Sequence, residues 1–526
     1  MNTLLLLSKP IPIIDLFAGP GGLGEGFTSV LDNNKRVFKI ALSIEKDDFA
    51  HQTLTLRSFV RQFEHLEIPD EYYSFVKGEI KSVEDLYKLY PEQAATAKHE
   101  AWKIEVGDTA KHRLIDKRIK EGLKGEKNFV LIGGPPCQAY SLVGRSRRQE
   151  VESLDENDPR VYLYREYYRI LAMHQPPVFI MENVKGLLSA KVKTKSVFNQ
   201  VIEDLKNPFD AYKKLHGKED ITYSRPGYKI YSLVKKAEKD LYGNDIFEPR
   251  DFIIKSEEYG IPQTRHRVIL LGIRNDLDIK PGTLQKALGQ IPIHDVISSL
   301  PKLRSGVSKA KDGSNEWRAL LEESLELEMW EDIEQDVSVK IREVINGIDL
   351  PENDRGAAFI KGNPELNYLE NWYADNRLNG FANHETRSHI KNDLYRYLFA
   401  ACFAEVKGRS PKLSDFPDQL RPAHLNIEAA VDDNKFGDRF RVQLLNEPAK
   451  TVTSHISKDG HYYIHPDPAQ CRSLTVREAA RLQTFPDNYF FCGPRTQQYH
   501  QVGNAVPPYL ARQIAIVVKS LFPKFL

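Results

Sequence analysis

The N-terminal part of the sequence contains the feature that most constrains the fold. An apolar run at residues 11–17 is followed by a glycine-rich segment at residues 18–26 and by a helical pattern to about residue 31. This order of strand, glycine loop and helix is typical of a nucleotide-binding βαβ unit, and a second apolar strand at residues 40–44 fits it. The sequence therefore predicts an α/β protein with an open sheet.

The composition is that of a globular chain long enough for two or three domains. Of 526 residues, 41% are hydrophobic and 28% are charged. The four cysteines form no CxxC pair, which argues against disulfides or a cysteine-built zinc site and favours a reducing compartment. We expect no signal peptide and no membrane span. The net charge of +1 means that any phosphate-binding surface must be local.

Two cofactors fit the glycine loop. The loop matches the G-x-G-x-x-G pattern of dinucleotide binding, with Glu45 after the next strand as the ribose-binding acid. S-adenosylmethionine suits the same geometry, and its ammonium and sulfonium groups are cations. Asp15 and Phe17 favour it, because a pyrophosphate would be repelled by a carboxylate. A glycine-rich turn without a ligand is the alternative.

A cysteine is displayed after a second strand. Residues 129–132 are apolar and lead into Gly-Gly-Pro-Pro before Cys137, so prolines fix the loop and glycines permit close approach. A buried structural cysteine is the alternative. The strand at residues 177–181 ends at Glu182, and side chains at the carboxyl ends of strands line one crevice. We therefore expect Cys137 and Glu182 to face one pocket.

Basic residues flank these positions. Arg265 and Arg267 lead into the strand at residues 268–272. Because side chains two residues apart in an extended segment point to the same side, the two arginines should share one side of it. The loop after Cys137 is polar and basic, and it either approaches phosphates or is merely solvated; its candidate phosphate contacts are Gln138, Ser141 and Arg145.

A charged, aromatic stretch at about residues 64–101 follows the strand at residues 40–44, and we interpret it as a helical insertion. A strand at residues 103–108 follows and ends at Asp108, which either accepts from an adenine amino group or belongs to a simple turn.

The middle of the chain, about residues 281–470, loses the strand-loop-helix rhythm. His384 and His389 are five residues apart and would not share a helical face, so we favour a structural or nucleic-acid-contacting role over zinc, the latter on the resemblance given below. Residues 448–463 resemble a strand, turn and strand, with Thr451, Thr453 and Lys458 as candidate phosphate or groove contacts. An ordinary polar hairpin is the alternative.

Taken together, the motifs resemble those of the DNA (cytosine-5) methyltransferases of prokaryotic type. They stand in the family's order: the cofactor loop at residues 15–22, the nucleophile loop at 134–138, the acid motif at 182–184, the paired arginines at 263–267, the motif that organises target recognition at 477–486, and the closing motif at 501–508.

The resemblance implies a doubly wound, mixed, mostly parallel sheet of the S-adenosylmethionine-dependent methyltransferase type, with a smaller target-recognition domain. The catalytic domain would span residues 1–280 and 497–526, and the recognition domain residues 281–496. The cofactor S-adenosylmethionine would be bound by Asp15, Phe17, Gly19, Gly22, Glu45, Asp108, Pro136, Leu163, Asn504 and Val506.

The implied chemistry requires these residue types. The thiolate of Cys137 would add to carbon 6 of cytosine, which turns carbon 5 into a nucleophile. Glu182 would contact N3 and the exocyclic amine, with Arg265 or Arg267 at O2. The base must first be flipped out of the duplex.

We expect double-stranded DNA as partner, a monomer in the cytoplasm at the nucleoid and, by family habit, a cognate restriction endonuclease. The alternatives are a tRNA cytosine-5 methyltransferase, a catalytically silent DNA-binding protein, and an NAD-dependent oxidoreductase. The first lacks support because a Cys-Phe-Thr signature is missing, and the last leaves Cys137 and Glu182 unexplained.

Overall fold

The computed structural model describes most of the chain. The described residues are 9–64, 67–136, 163–192, 195–217, 224–243, 245–363, 365–422 and 438–522. Cys137, Gln138, Ser141 and Arg145 lie outside them.

An eight-stranded sheet forms the centre of the N-terminal half. Its strands are β1 Ile11–Leu16, β2 Phe38–Glu45, β3 Ala101–Lys103, β4 Val130–Gly133, β5 Val178–Val184, β6 Tyr228–Tyr231, β7 Ile253–Lys255 and β8 His266–Arg274. Their order is β6-β8-β5-β4-β1-β2-β3, and β7 pairs with the N-terminal part of β8. The first five strands pair in parallel, whereas β8 is antiparallel to β5, β6 and β7. The mixed, mostly parallel sheet expected from the sequence is confirmed.

Helices cover both faces of this sheet, because its strands are apolar on both sides. On one face the core contains residues from α6 His112–Leu123, α7 Leu163–His174 and α8 Val197–Lys206. On the other it contains residues from α1 Gly22–Thr28 and α17 Pro508–Lys519. The arrangement is therefore doubly wound.

The remaining helices are α2 Asp48–Val60, α3 Asp70–Val76, α4 Val83–Leu89, α5 Pro91–Glu100, α9 Pro208–Leu215, α10 His294–Ile297, α11 Ser314–Glu323, α12 Gln335–Asn346, α13 Glu370–Tyr373, α14 Lys391–Lys407, α15 Val476–Leu482 and α16 Arg495–Asn504. Short strands occur at Leu31–Asp32, Lys35–Arg36, Lys191–Val192, Lys195–Ser196, Glu238–Lys239, Asp245–Ile246, Gln263–Thr264, Gly306–Val307, Gly356–Lys361, Gly380–Glu385, Ser388–His389 and Ala449–Lys450.

The predicted insertion at residues 64–101 is helical, as α3, α4 and α5 show. It has its own apolar cluster, which reaches Leu378, Ala382 and Cys492 in the later part of the chain. A further cluster, built on α14 and the buried Trp317 and Trp330, lies within residues 307–471.

Two local predictions were wrong. The strand expected at residues 103–108 is instead Ala101–Lys103, because its partner β2 ends at Glu45, opposite Lys103. Residues 448–463 do not form a strand, turn and strand. Ala449–Lys450 pairs with Gln263–Thr264, and Ser454–Ser457 is a 3-10 helix.

Candidate active site

The carboxyl ends of three neighbouring strands meet at one level. Leu16 at the end of β1 is in register with Gly133 of β4, which is in register with Met181 of β5. Whatever follows these residues in the chain therefore emerges at one edge of the sheet. The glycine loop, the Gly-Gly-Pro-Pro segment and Glu182 all do so.

Asp15 is the one charged residue of β1 and is fully buried. Both of its carboxylate oxygens lack a hydrogen-bond partner among the described residues. Burial raises the pKa of Asp15 to about 8, although the charge of Arg61 opposes the shift. Such a group is costly unless a partner arrives, so it marks a candidate site for a cation or donor.

The glycine loop is fixed by backbone contacts around Glu45. One oxygen of Glu45 accepts from the Gly19 amide at 2.8 Å, and the other accepts from the amides of Lys46 and Asp47, each at 2.8 Å. Phe17, between Asp15 and this loop, has a φ of 57°, which is rare for a residue with a side chain. Its ring packs against the core on the α7 face.

The end of the described chain closes on this loop. A Cβ at Gly22 would lie 2.3 Å from the carbonyl oxygen of Val506, so only glycine allows the approach. Val506 is buried, whereas Asn504, at the end of α16, is exposed. The structure thus brings Gly22 and Val506 together.

Asp108 has local partners. Its carboxylate accepts from the Ala110 amide at 3.0 Å and lies 3.1 Å from the Lys111 ammonium, where it caps a 3-10 helix. Of the two alternatives predicted for Asp108, this geometry is that of the simple turn. The neighbouring Gly107 contacts Leu163, since a Cβ there would lie 2.8 Å from Leu163 Cδ2.

Glu182 and Arg267 form an ion pair at the end of β5. Arg267 Nε lies 3.0 Å from Glu182 Oε1, and both side chains are 14% exposed. Burial lowers the pKa of Arg267, while the Glu182 carboxylate counteracts that shift. A Cβ at Gly134 would lie 2.9 Å from the other Glu182 oxygen, which puts the acid beside the segment that leads to Pro136.

Arg265 has a different environment from Arg267. It is buried, and its guanidinium donates to the carbonyl oxygens of Val452 at 2.7 Å and Gly503 at 3.4 Å. Burial lowers the pKa of Arg265, and the charge of Arg267 adds to this. Of the two arginines, Arg267 is the one paired with Glu182, while Arg265 joins three distant segments of backbone.

The hydroxyls predicted to contact DNA have partners within the chain. Thr451 Oγ1 donates to the Thr264 carbonyl at 2.6 Å, and Thr453 Oγ1 lies 3.0 Å from the Tyr463 hydroxyl. Lys458, in contrast, is exposed, at the end of the 3-10 helix Ser454–Ser457.

His384 and His389, which we considered as zinc ligands, contact other groups of the protein. His384 Nδ1 lies 2.8 Å from Thr475 Oγ1, and its Nε2 lies 3.1 Å from the Pro301 carbonyl oxygen. His389 Nε2 lies 3.4 Å from Ser473 Oγ.

The segment around α15 is a buried arginine hub. Arg472 makes two hydrogen bonds to Glu478, at 2.8 and 2.6 Å, and Arg481 makes two to Asp487, at 2.9 and 2.7 Å. Arg477 donates to three backbone carbonyls. Of these bonds, the one from Arg477 to the Ala382 carbonyl joins this segment to a distant part of the chain.

Sequence reasoning missed Tyr489. Its hydroxyl donates to the carbonyl of Pro20 in the glycine loop, and Arg57 lies 4.9 Å from the centre of its ring. Arg57 in turn pairs with Glu25 of α1, at 2.9 and 2.6 Å. No local pattern signals a contact between residues so far apart in sequence.

The comparisons with known proteins agree with this geometry. The model of the family "C-5 cytosine-specific DNA methylase" matches residues 95–212 and 242–520. Type II methyltransferase M.Bpa9945I of Bacillus paralicheniformis is 34% identical over 97% of this chain and 98% of its own. Type II methyltransferase M.DdeI of Desulfomicrobium norvegicum is 27% identical over 96% and 87%, respectively. DNA (cytosine-5-)-methyltransferase M.ApeKI of Aeropyrum pernix is 25% identical over 75% and 81%.

Among the described residues, no helix is both long and apolar enough to cross a membrane. The family model matches most of the chain, and a relative that is 34% identical aligns over 97% of it. The chain therefore belongs to the C-5 cytosine-specific DNA methylases and is a DNA (cytosine-5-)-methyltransferase.

Proposed function

We propose that the enzyme methylates cytosine in a specific duplex sequence through a covalent adduct of Cys137, with S-adenosylmethionine as methyl donor. The observation that carries the proposal is the Glu182–Arg267 pair, 3.0 Å apart, beside the segment that leads to Cys137. A hydrogen-bonding acid and a fixed positive charge at one strand end suit a ring that must accept negative charge.

In this proposal the Cys137 thiolate would form a bond to carbon 6, and the electron pair displaced toward carbon 5 would form the new bond to the methyl group. The methyl–sulfur bond of the donor would break at the same time, and its electron pair would stay on sulfur to leave a neutral thioether. Glu182 binds N3 and the exocyclic amine, and Arg267 neutralises charge at O2. Loss of the carbon 5 proton to water then returns the electron pair, breaks the sulfur–carbon bond and frees the thiolate. Arg265 takes a positioning role, because its donors point to the carbonyls of Val452 and Gly503.

The residues at the glycine loop fit the proposed cofactor. S-adenosylmethionine supplies an activated methyl group on a cationic sulfur, next to a cationic ammonium. Asp15 is a buried carboxylate whose oxygens have no hydrogen-bond partner among the residues that the structure describes, so a cation would relieve its burial cost. Glu45 orders the loop backbone through Gly19, and in this proposal it would also accept from ribose hydroxyls. Val506 packs against Gly22 and so lies beside the same loop.

We further propose that residues 281–496 carry target recognition, with Lys458 at the DNA surface. The exposed position of Lys458 supports this, while the partnered hydroxyls of Thr451 and Thr453 favour a structural role for them. Gln138, Ser141 and Arg145 follow the proposed nucleophile and remain candidate DNA contacts. A monomer at the nucleoid, beside a cognate endonuclease, completes the proposal.

The test combines mapping with trapping. Protein, duplex DNA and labelled S-adenosylmethionine are incubated, and modified positions are mapped by bisulfite sequencing, with tRNA as a control substrate. Duplex DNA containing 5-fluorocytosine should trap the wild type covalently, because fluorine cannot leave as a proton does. Cys137→Ala should bind the cofactor normally and form no adduct. Methylation by Cys137→Ala at the wild-type rate would overturn the covalent mechanism.

A further inference from the structure

A basic hairpin follows Glu182 directly in the chain. Residues 183–202 contain four lysines and no aspartate or glutamate, although the whole protein has a net charge of only +1. The positive charge is therefore concentrated locally, as expected of a surface that meets an anionic partner.

The hairpin is held firmly at the carboxyl edge of the sheet. After β5 ends at Val184, a 3-10 helix spans Lys185–Ser189. The strands Lys191–Val192 and Lys195–Ser196 then pair in antiparallel fashion. The Val197 amide donates to the Ala190 carbonyl at 3.0 Å, which closes the base of the hairpin.

Apolar residues on either side of the hairpin anchor it to the sheet. Leu187, Ala190, Val197 and Phe198 are all buried in the core cluster on the α7 face. Lys185, Lys191 and Lys195 are therefore carried on a fixed backbone, so less conformational freedom is lost when they bind.

The lysines themselves are available. Lys185, Lys191 and Lys195 are exposed, and within the described part of the chain no carboxylate forms an ion pair with any of them. By contrast, Lys206 and Lys213, further along the same segment, pair with Glu203 and Asp210. A lysine row without counter-charges attracts phosphate more strongly than one neutralised by its neighbours.

The position relative to Glu182 decides the partner. Lys185 is three residues from Glu182, so the two backbones are at most about 10 Å apart. A duplex that delivers a cytosine to Glu182 must bring its sugar–phosphate backbone over this edge of the sheet. We propose that Lys185, Lys191 and Lys195 form a phosphate clamp that grips the DNA backbone beside the extruded cytosine.

The clamp rests on the proposed placement of the reacting base at Glu182. It acts through charge and not through base contacts, so it contributes affinity for any sequence. Each phosphate contact that is lost should reduce the steepness of the salt dependence of binding by about 0.9.

The test is the salt dependence of duplex binding by Lys185→Gln/Lys191→Gln/Lys195→Gln, measured by fluorescence anisotropy with a fluorescein-labelled duplex of mixed sequence. Between about 50 and 200 mM salt, the slope of log K against log salt should fall by about 2 to 3 relative to wild type. The KM for DNA should rise in parallel, and the Lys→Arg triple variant should keep the wild-type slope.

A matched control places the same charge change at the opposite edge. Lys120, Lys124 and Lys127 are exposed, precede β4 and so lie at its amino end. Their triple Gln variant should keep the wild-type slope and KM. An unchanged slope in the clamp variant, or an equal loss in the control variant, would overturn the clamp.

Two readouts separate the failure of the clamp from other failures. Binding of S-adenosylmethionine alone checks that the clamp variant is folded, and weaker DNA binding with an unaltered slope counts against the clamp. The slope is measured without methyl transfer, whereas 5-fluorocytosine trapping by the wild type tests the covalent mechanism. Each can therefore fail while the other stands.

Discussion

The hydroxyl of Tyr489 donates a hydrogen bond to the carbonyl of Pro20, and so ties the glycine loop to the segment that follows the buried arginine hub. Tyr489 is fully buried, and Arg57 packs over its ring. The loop proposed to hold the cofactor is thus supported from the part of the chain proposed to recognise DNA.

Tyr489→Phe removes this bond and leaves the Pro20 carbonyl without its donor. The loss of a buried hydrogen bond costs about 1 kcal/mol, so we expect the KM for S-adenosylmethionine to rise about fivefold. Steady-state kinetics against cofactor concentration measure this.

The control is Tyr499→Phe. The Tyr499 hydroxyl donates to the Leu474 carbonyl at 2.7 Å and is equally buried, but it does not contact the glycine loop. It should lower the melting temperature to a similar extent and leave the cofactor KM unchanged. Equal KM changes in both variants would contradict a specific role for Tyr489.

Glu182→Gln keeps the shape of the side chain but removes the charge that pairs with Arg267. Because the amide cannot supply a proton to the ring, we expect methyl transfer to fall by about 10²- to 10⁴-fold, with cofactor affinity retained. Single-turnover transfer and isothermal titration measure the two quantities.

Glu257→Gln is the control for that loss. Glu257 lies 2.7 Å from His266, next to Arg267 in sequence, yet it belongs to a different pair. Its loss should leave single-turnover transfer near the wild-type rate. A similar loss in both variants would show that the effect at Glu182 is one of general stability.

Asp15 should give the stability a pH dependence of its own. Its pKa is raised to about 8 in the folded protein, from 3.8 as the reference value, because it is buried. Between these values the folded state holds a proton that the unfolded state has lost. The contribution of Asp15 to stability is therefore full below about pH 4 and declines as the pH rises toward 8.

Asp15→Asn should accordingly be more favourable, relative to wild type, at pH 8 than at pH 5.5. Urea unfolding of both proteins at the two pH values measures the difference. Asp108→Asn is the control: Lys111 and the Ala110 amide lower the pKa of Asp108, so its contribution is constant over this range. A pH-independent effect of Asp15→Asn would contradict the raised pKa.

Gly22→Ala should disable the cofactor loop, since the added Cβ would lie 2.3 Å from the Val506 carbonyl. Overpacking of this kind costs about 1 to 3 kcal/mol, and we expect cofactor affinity to fall by about tenfold or more. Gly282→Ala, where an added Cβ meets nothing within 4 Å, should change neither affinity nor melting temperature. Normal cofactor binding by Gly22→Ala would contradict the close approach.

The sequence predicted the parts of the site that depend on strand order. The apolar runs at residues 11–17, 129–132 and 177–181 imply strands that end at a common level, and the structure shows these ends in register. Alternation grouped Arg265 with Arg267, but it did not indicate which of the two pairs with Glu182. These features follow from local periodicity and from the rule that parallel strands end together.

The parts of the site that the sequence did not predict depend on contacts between residues far apart in the chain, which leave no local sequence pattern. The Ala449–Lys450 strand is only two residues long, and it forms by pairing with Gln263–Thr264, although Thr264 and Ala449 are 185 residues apart in sequence. The division of labour between Arg265 and Arg267 likewise follows from where Val452 and Gly503 come to lie. Such tertiary placements override the hairpin pattern of residues 448–463.

The packing of α17 on α1 also sets the order of events during synthesis. An added Cβ at Gly26 would meet the Pro508 carbonyl at 2.3 Å and Ala511 Cβ at 2.4 Å, so the two helices fit only in direct contact. While the ribosome is still making the middle of the protein, the first helix has no partner for this face. A half-made chain lacks this contact, so we expect the enzyme to acquire its full cofactor affinity only after the segment around residue 508 has emerged.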